Sequence, residues 1–255
     1  MVFVFDWMLY LQAGGVVLAA MLGLWVLSLI MRNSSIVDIF WGTGFVLVAW
    51  FSFLAVGEPY PARSILLNIL VTIWGLRLSI HILLRNWGKE EDYRYQEWRQ
   101  EAGESWWWKS LFRVFLLQGF IMWIVASPLV AVNGSQLTGS LTWLDLAAGA
   151  LWVVGFVFEA GGDWQLARFK ADPDSGKLMT SGLWSLTRHP NYFGNATQWW
   201  AFYLFAVGSG AALTIVSPIL MTYLIRYVSG VELLEEAMSK RPGWEEYAEK
   251  TPPFI

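Results

Sequence analysis

The chain has 255 residues, 56% of them hydrophobic and only 15% charged, with a mean hydropathy of +0.46. A soluble domain carries about 25% charged residues, so this composition excludes an ordinary soluble globule. The lack of Cys removes disulfides, thiolate metal sites and Cys nucleophiles, two His are too few for a His-rich di-iron centre, and a net charge of −3 gives no sign of a nucleic-acid partner.

Apolar windows of about 20 residues, the length that crosses a bilayer core, predict an all-α bundle of seven transmembrane helices in one integral membrane domain over residues 1–255. In chain order the spans are Trp7–Met31, Ile36–Val56, Ser64–Leu84, Leu111–Val132, Leu141–Glu159, Tyr192–Val207 and Ala211–Tyr227. The first lacks a basic n-region and a small-residue cleavage site, so it is expected to stay as a helix. Only Gly208, Ser209 and Gly210 separate the last two, which suits a tight hairpin. Of the 17 Lys and Arg, 15 fall on one side of this arrangement. The positive-inside bias then predicts an outer N-terminus and a cytoplasmic C-terminus.

Ionisable groups inside spans are costly, so each is a functional candidate. Asp38, near the start of the second span, reads either as an acid favoured by the helix dipole and capped by Ser34 or Ser35, or as a substrate-facing acid. Arg77 and His81 lie four apart on one face of the third span. Arg77 is too deep for simple snorkelling and is expected to face a polar cavity, whereas His81 suits a hydrogen-bonding role within the bundle. Glu159 and Asp163, also four apart, flank Gly161 and Gly162 at the inner end of the fifth span. They could bind a ribose or amide, or pair with Arg168 and Lys170; with His so scarce, a metal is the weakest choice and none is expected.

The stretch from Ser181 to Asn195 is the richest. Pro190 suits the first turn of a helix, with Thr187 or His189 near the cap. Free N–H groups at that terminus, with Arg188 and His189 beside it, make an anion site. Asn191, Asn195 and Gln198 recur at helical spacing and form an amide stripe, suited to a nicotinamide or adenine or to interhelical bonding. Arg226 ends the last span, and the acidic tail that follows reads as a solvated helix at the interface.

Gly182-Leu183-Trp184 followed by Thr187-Arg188-His189-Pro190-Asn191-Tyr192-Phe193-Gly194 resembles the C-terminal signature of the steroid 5-alpha-reductase superfamily, and more narrowly its bacterial branch of unknown-function domains. Ser35-Ile36-Val37-Asp38 with Trp41-Gly42, Glu91-Asp92-Tyr93-Arg94-Tyr95, and Ser229-Gly230-Val231-Glu232 extend the likeness along most of the chain. The resemblance implies NADPH entering from the cytoplasmic side, a vestibule drawn mainly from residues 159–255, and hydride transfer to the double bond of a lipophilic α,β-unsaturated ketone. By position, Asp163, Lys170, Asn191, Asn195 and Arg226 match cofactor contacts, with Asn195 replacing an acid of the steroid enzymes. The Gln-Glu pair those enzymes carry on the second helix is missing. Asp38 is the natural substitute, with Tyr93 or Tyr95 as proton donor. Isoprenylcysteine methyltransferases carry a similar Arg-His-Pro element and bind S-adenosylmethionine, which is the alternative activity; a non-catalytic lipid-binding protein is the third class.

The expected mechanism places the NADPH phosphates against Arg168, Lys170, Arg188 and Arg226. The nicotinamide lies beside Asn191 and Asn195, with Glu159, His189 and Tyr192 in the same vestibule. A protonated Asp38, with Arg77 and the tyrosines as further catalytic candidates, polarises a carbonyl arriving from the bilayer. Membrane lipid and the lipophilic substrate are the expected partners, with no obligate protein partner, in a multi-pass protein of the bacterial inner membrane.

Overall fold

A computed structural model describes residues 5–58, 61–135, 140–173, 176, 178–228 and 230–254. Every regular element among them is helical. The chain divides into two compact units, residues 1–141 with 209–214, and residues 142–208 with 215–255.

In the first unit, α1 (Trp7–Met31) begins where the Asp6 carboxylate accepts from the Leu9 N–H at 2.9 Å, and it ends at Arg32 in the left-handed region. Next come α2 (Ile36–Val56) and α3 (Ala62–Asn86), which touch backbone to backbone. A Cβ on Gly42 would run into the Gly75 carbonyl, and the Ser79 Oγ accepts from both the Thr43 N–H and hydroxyl at 2.9 Å. Small residues at such a seam are what membrane helices use to approach closely.

The fourth expected span is part of a longer path. It runs through α4 (Tyr93–Ala102), a 3-10 turn, α5 (Trp106–Ser110), a π-helical stretch Leu111–Leu116, and α6 (Leu117–Val125). It stops at Val125, short of the expected Val132. Pro128, in the first turn of α7 (Ser127–Asn133), lacks the N–H to continue the helix. Deep in the unit, Asn133 donates to the Ala49 carbonyl and Ser52 Oγ, and accepts from Asn68, which ties α2, α3 and α7 together.

The second unit is built on α8 (Trp143–Ala171) and α9 (Pro190–Gly208). A Thr142–Asp145 capping box starts α8, which then runs twelve residues past the expected end at Glu159. Loss of hydropathy ended the span in the sequence; it did not end the helix. Glu159 and Asp163 are therefore mid-helix groups. The two helices run antiparallel, with Gly155 against Gly194 and Gly162 against Pro190. A Cβ on Gly194 would strike the Glu159 N and Gly155 carbonyl. After α9 come α10 (Val216–Tyr223), a π-helical stretch Leu224–Val228, α11 (Val231–Met238) and α12 (Trp244–Lys250).

Among the described residues, five helices are long and apolar enough to cross a membrane: Trp7–Met31, Ile36–Val56, Ala62–Asn86, Tyr93–Val125 and Trp143–Ala171. This is a multi-pass membrane protein. The remaining two expected spans fall outside those five: α9 carries the amide stripe, and Ala212–Val228 is a shorter apolar helix. Ser229, from one of the resembling motifs, lies outside the described residues.

Candidate functional site

Two polar clusters stand out, one in each unit. In the first unit, Asp38 leaves the first turn of α2 and meets α4. Its Oδ1 accepts from the Tyr95 hydroxyl at 2.8 Å, and its Oδ2 accepts from Arg94 Nη2 at 3.2 Å. Arg94 also grips Asp92, whose carboxylate caps α4. Gln118 of α6 donates to the Tyr95 oxygen at 3.1 Å. Tyr95 is 3% exposed, while the Asp38 and Arg94 side chains are 23% and 33% exposed, so the cluster opens on the carboxylate side. Glu91 fixes the neighbouring backbone: it accepts from the Ser34 N–H and is paired with Arg99 at 2.8 Å.

The two expected tyrosines are placed differently. Tyr93 is 62% exposed, and Tyr95 alone of the two reaches Asp38. Serine capping of Asp38's helix is not made; Ser35 occupies the N-cap without a side-chain cap bond, and its hydroxyl turns to Asn33. Arg77 and His81 are half-buried on α3.

In the second unit, carboxylates of α8 face amides of α9. Glu159 accepts from Asn195 Nδ2 at 3.1 Å and from Gln198 Nε2, and Asp163 accepts from Asn191 Nδ2 at 3.0 Å. Glu159 and Gln198 are fully enclosed. The Asn195 Oδ1 and Gln198 Oε1 are buried and have no hydrogen-bond partner. Arg168, exposed, lies over the Trp164 ring at 5.1 Å, and Lys170 is exposed near the end of α8. Arg226, in the π-helical stretch, lies over Tyr227 at 5.4 Å and has no carboxylate partner among the described residues.

Arg188 does something the sequence did not suggest. Its Nε and Nη2 both meet Glu235 Oε1 at 2.8 Å, and its Nη1 donates to the Ala248 and Thr251 carbonyls at 2.8 and 2.7 Å. The Arg188 N–H donates to the Pro252 carbonyl, and the Tyr247 hydroxyl to the Trp184 carbonyl. The C-terminal segment is thus strapped to the loop before α9, with Arg188 as the buckle. His189 stands beside it, fully buried, its Nε2 at 3.1 Å from Glu235, with the Tyr192 ring 6.0 Å away. Burial holds the imidazole below its ordinary range, outweighing the pull of Glu235. For Glu235 the balance is reversed: burial would raise its carboxyl, but the Arg188 and His189 contacts bring it below the usual range.

Sequence reasoning missed Arg94, Gln118 and Glu235. Gln118 carried a signal, because it is the one amide in the apolar run Leu116–Val125. Among the described residues, no group of three or more His, Asp and Glu side chains is placed to hold a metal ion.

Two relatives share this chain's sequence over much of its length. An uncharacterized protein of Schizosaccharomyces pombe is 28% identical over 277 aligned residues, covering 94% of this chain and 78% of that protein. The nickel-cobalt-cadmium resistance protein NccN of Alcaligenes xylosoxydans xylosoxydans is 24% identical over 136 residues, covering 52% of this chain and 61% of its own. The profile of a family described as a protein of unknown function, DUF1295, matches residues 24–251, nearly the whole chain, which therefore belongs to that family.

Proposed function

We propose that this protein is an NADPH-dependent membrane reductase acting on the carbon–carbon double bond of a lipophilic α,β-unsaturated ketone, and that its wider kinship is with the steroid 5-alpha-reductase superfamily. The observation that carries this reading is the Asp38–Tyr95 pair, a carboxylate and a phenol from different helices joined at 2.8 Å and open on one side. Methyl transfer needs no group to polarise a carbonyl; enone reduction does.

The second unit supports a nucleotide. Asn195 Oδ1 and Gln198 Oε1 are buried acceptors still lacking a donor, and a buried acceptor left so costs about 1–3 kcal/mol. A carboxamide or adenine amine supplies such donors. Arg226, uncommitted to any described carboxylate, suits a phosphate, and Arg168 and Lys170 add positive charge. Arg188 spends four of its five guanidinium N–H groups on Glu235 and the tail, so the phosphate role is assigned to the other three. Asp163 and Asn191 are paired at the rim of the same helix seam, with Tyr192 next in the chain and His189 two residues before Asn191.

When bound, the cofactor supplies hydride to the β-carbon of the enone. Tyr95 turns its hydroxyl onto the ketone oxygen as enolate charge develops there, an oxyanion role. Asp38, which accepts from both Arg94 and Tyr95, is assigned here as the oriented carboxylate partner, with the phenol as the donor to the ketone. The α-carbon takes its proton from water, leaving the saturated ketone. We further infer the full seven-span arrangement, with an outer N-terminus and a cytoplasmic C-terminus in a bacterial inner membrane. The lysine and arginine asymmetry supports it.

The test is cofactor binding to detergent-purified protein, comparing NADPH, NADH and S-adenosylmethionine by calorimetry, followed by NADPH consumption with a panel of lipophilic enones. Preferential NADPH binding with enone-dependent oxidation is the expected result. Preferential binding of S-adenosylmethionine would move the protein to methyl transfer and leave the Asp38–Tyr95 pair without a chemical task.

A further inference from the structure

Gln118 is the third member of the acid–phenol cluster, and nothing in the proposed chemistry has used it. A phenol oxygen has one hydrogen to donate and accepts from the remaining side. Asp38 is a carboxylate held by Arg94 and can only accept, so the Tyr95 hydroxyl must donate to it. The Gln118 side chain must then present its N–H, not its oxygen, to Tyr95, and that N–H takes the other approach to the phenol oxygen at 3.1 Å. With one side filled, the hydroxyl hydrogen has a single direction in which to point.

The backbone is built to allow this. Gln118 lies in the first turn after the π-helical stretch Leu111–Leu116. A π turn absorbs one extra residue, so the helix beyond it is rotated by roughly 100° relative to a continuous α-helix. Without that stretch the same residue would face elsewhere. Such irregular turns, which leave backbone bonds poorly made, recur where a side chain must be aimed.

We propose that Gln118 is a positioning residue: it fixes the Tyr95 phenol oxygen and keeps its hydrogen at the Asp38 edge, the partly open side of the cluster, where a ketone oxygen would meet it. This rests on the reading of the Asp38–Tyr95 pair as the group that meets the ketone.

The test uses Gln118→Met, which keeps the size and apolar packing and removes the donor, and Gln118→Glu, which offers a second acceptor to compete with Asp38 for the hydroxyl. In protein carrying tyrosine labelled at Cζ, Tyr95→Phe identifies the Tyr95 signal among the nine tyrosines. Gln118→Met should move that signal and lower kcat about tenfold, the loss of one hydrogen bond. KM for NADPH and the unfolding temperature should be unchanged. Gln118→Glu should lower kcat further. A Tyr95 signal that stays in place in Gln118→Met, or unchanged turnover in both variants, overturns the proposal. If the wild-type protein consumes no enone, the proposed activity is what fails, and the Tyr95 signal alone then decides whether Gln118 orders the phenol.

Discussion

Arg94 and Arg188 belong to the same chemical type and do opposite jobs. Arg94 shares its guanidinium between two carboxylates at a partly open cluster, so that Asp38 keeps a free edge and a phenol at its side. Arg188 has a 9% exposed side chain, and every one of its nitrogens is bonded to Glu235 or a tail carbonyl. The first is an arginine that tunes another residue; the second is an arginine that closes a structure. A cation counted from sequence says nothing of which job it has. The number and kind of acceptors around it do.

The sharpest way to break this contrast is at the open cluster. Tyr95→Phe keeps the ring and removes the hydroxyl proposed to meet the ketone oxygen. Turnover of an enone should fall by about 10²–10³-fold, the usual worth of one oxyanion donor, with NADPH affinity unchanged. Asp38→Asn should fall in the same range. Full activity in Asp38→Asn would remove the carboxylate from the chemistry and leave it as an anchor for Arg94.

Arg188→Ala tests the closed side. Removing Arg188 leaves the Ala248 and Thr251 carbonyls without that donor and Glu235 with His189 alone, an expected loss of about 1–3 kcal/mol. Thermal unfolding should drop accordingly, and limited proteolysis should cut the segment after α11 first. An unchanged unfolding temperature with weakened NADPH binding would reverse the assignment and return Arg188 to the phosphates. Arg226→Ala should show the opposite pattern. Loss of one charge-assisted contact weakens NADPH binding by about ten- to a hundredfold, while stability stays level.

Much of the fold was legible because apolar windows of bilayer length mark helices directly, and α1 and α2 match their expected bounds. Ends marked by polarity were less legible. At α8 the amide-paired carboxylates fall inside a helix whose apolar run had already finished. The acid and its tyrosine were legible as residue types, but Tyr93 and Tyr95 sit about 200° apart on a helix, and only the docking of α4 tells which one turns inward. The Arg188 strap was illegible for a physical reason: its side-chain partners lie 47 to 63 residues away along the chain, and no local pattern announces a tail that folds back. Gln118 was overlooked although a lone amide in an apolar run is a warning that something polar waits across the helix.

The smallest expected effect, and the one that most sharpens the contrast, is the pH dependence of the strap. His189 faces Glu235, Arg188 and Arg226, and its burial keeps it neutral below its ordinary value of 6.5. As the pH falls through that value the unfolded chain takes up a proton that the folded chain refuses, so stability begins to decline there. Glu235 titrates from 4.5 unfolded to a lower value folded, because Arg188 and His189 favour its charge. Its contribution is complete above 4.5 and is lost as the pH drops through the folded value. Both groups therefore weaken the strap in acid, His189 first and Glu235 second. The unfolding temperature of the intact protein should be level above about 6.5 and decline in two stages below it. His189→Gln should remove the upper stage, and Glu235→Gln the lower. Parallel wild-type and variant curves would mean that the tail is held by its backbone bonds to Arg188 alone, with the ionised groups as bystanders.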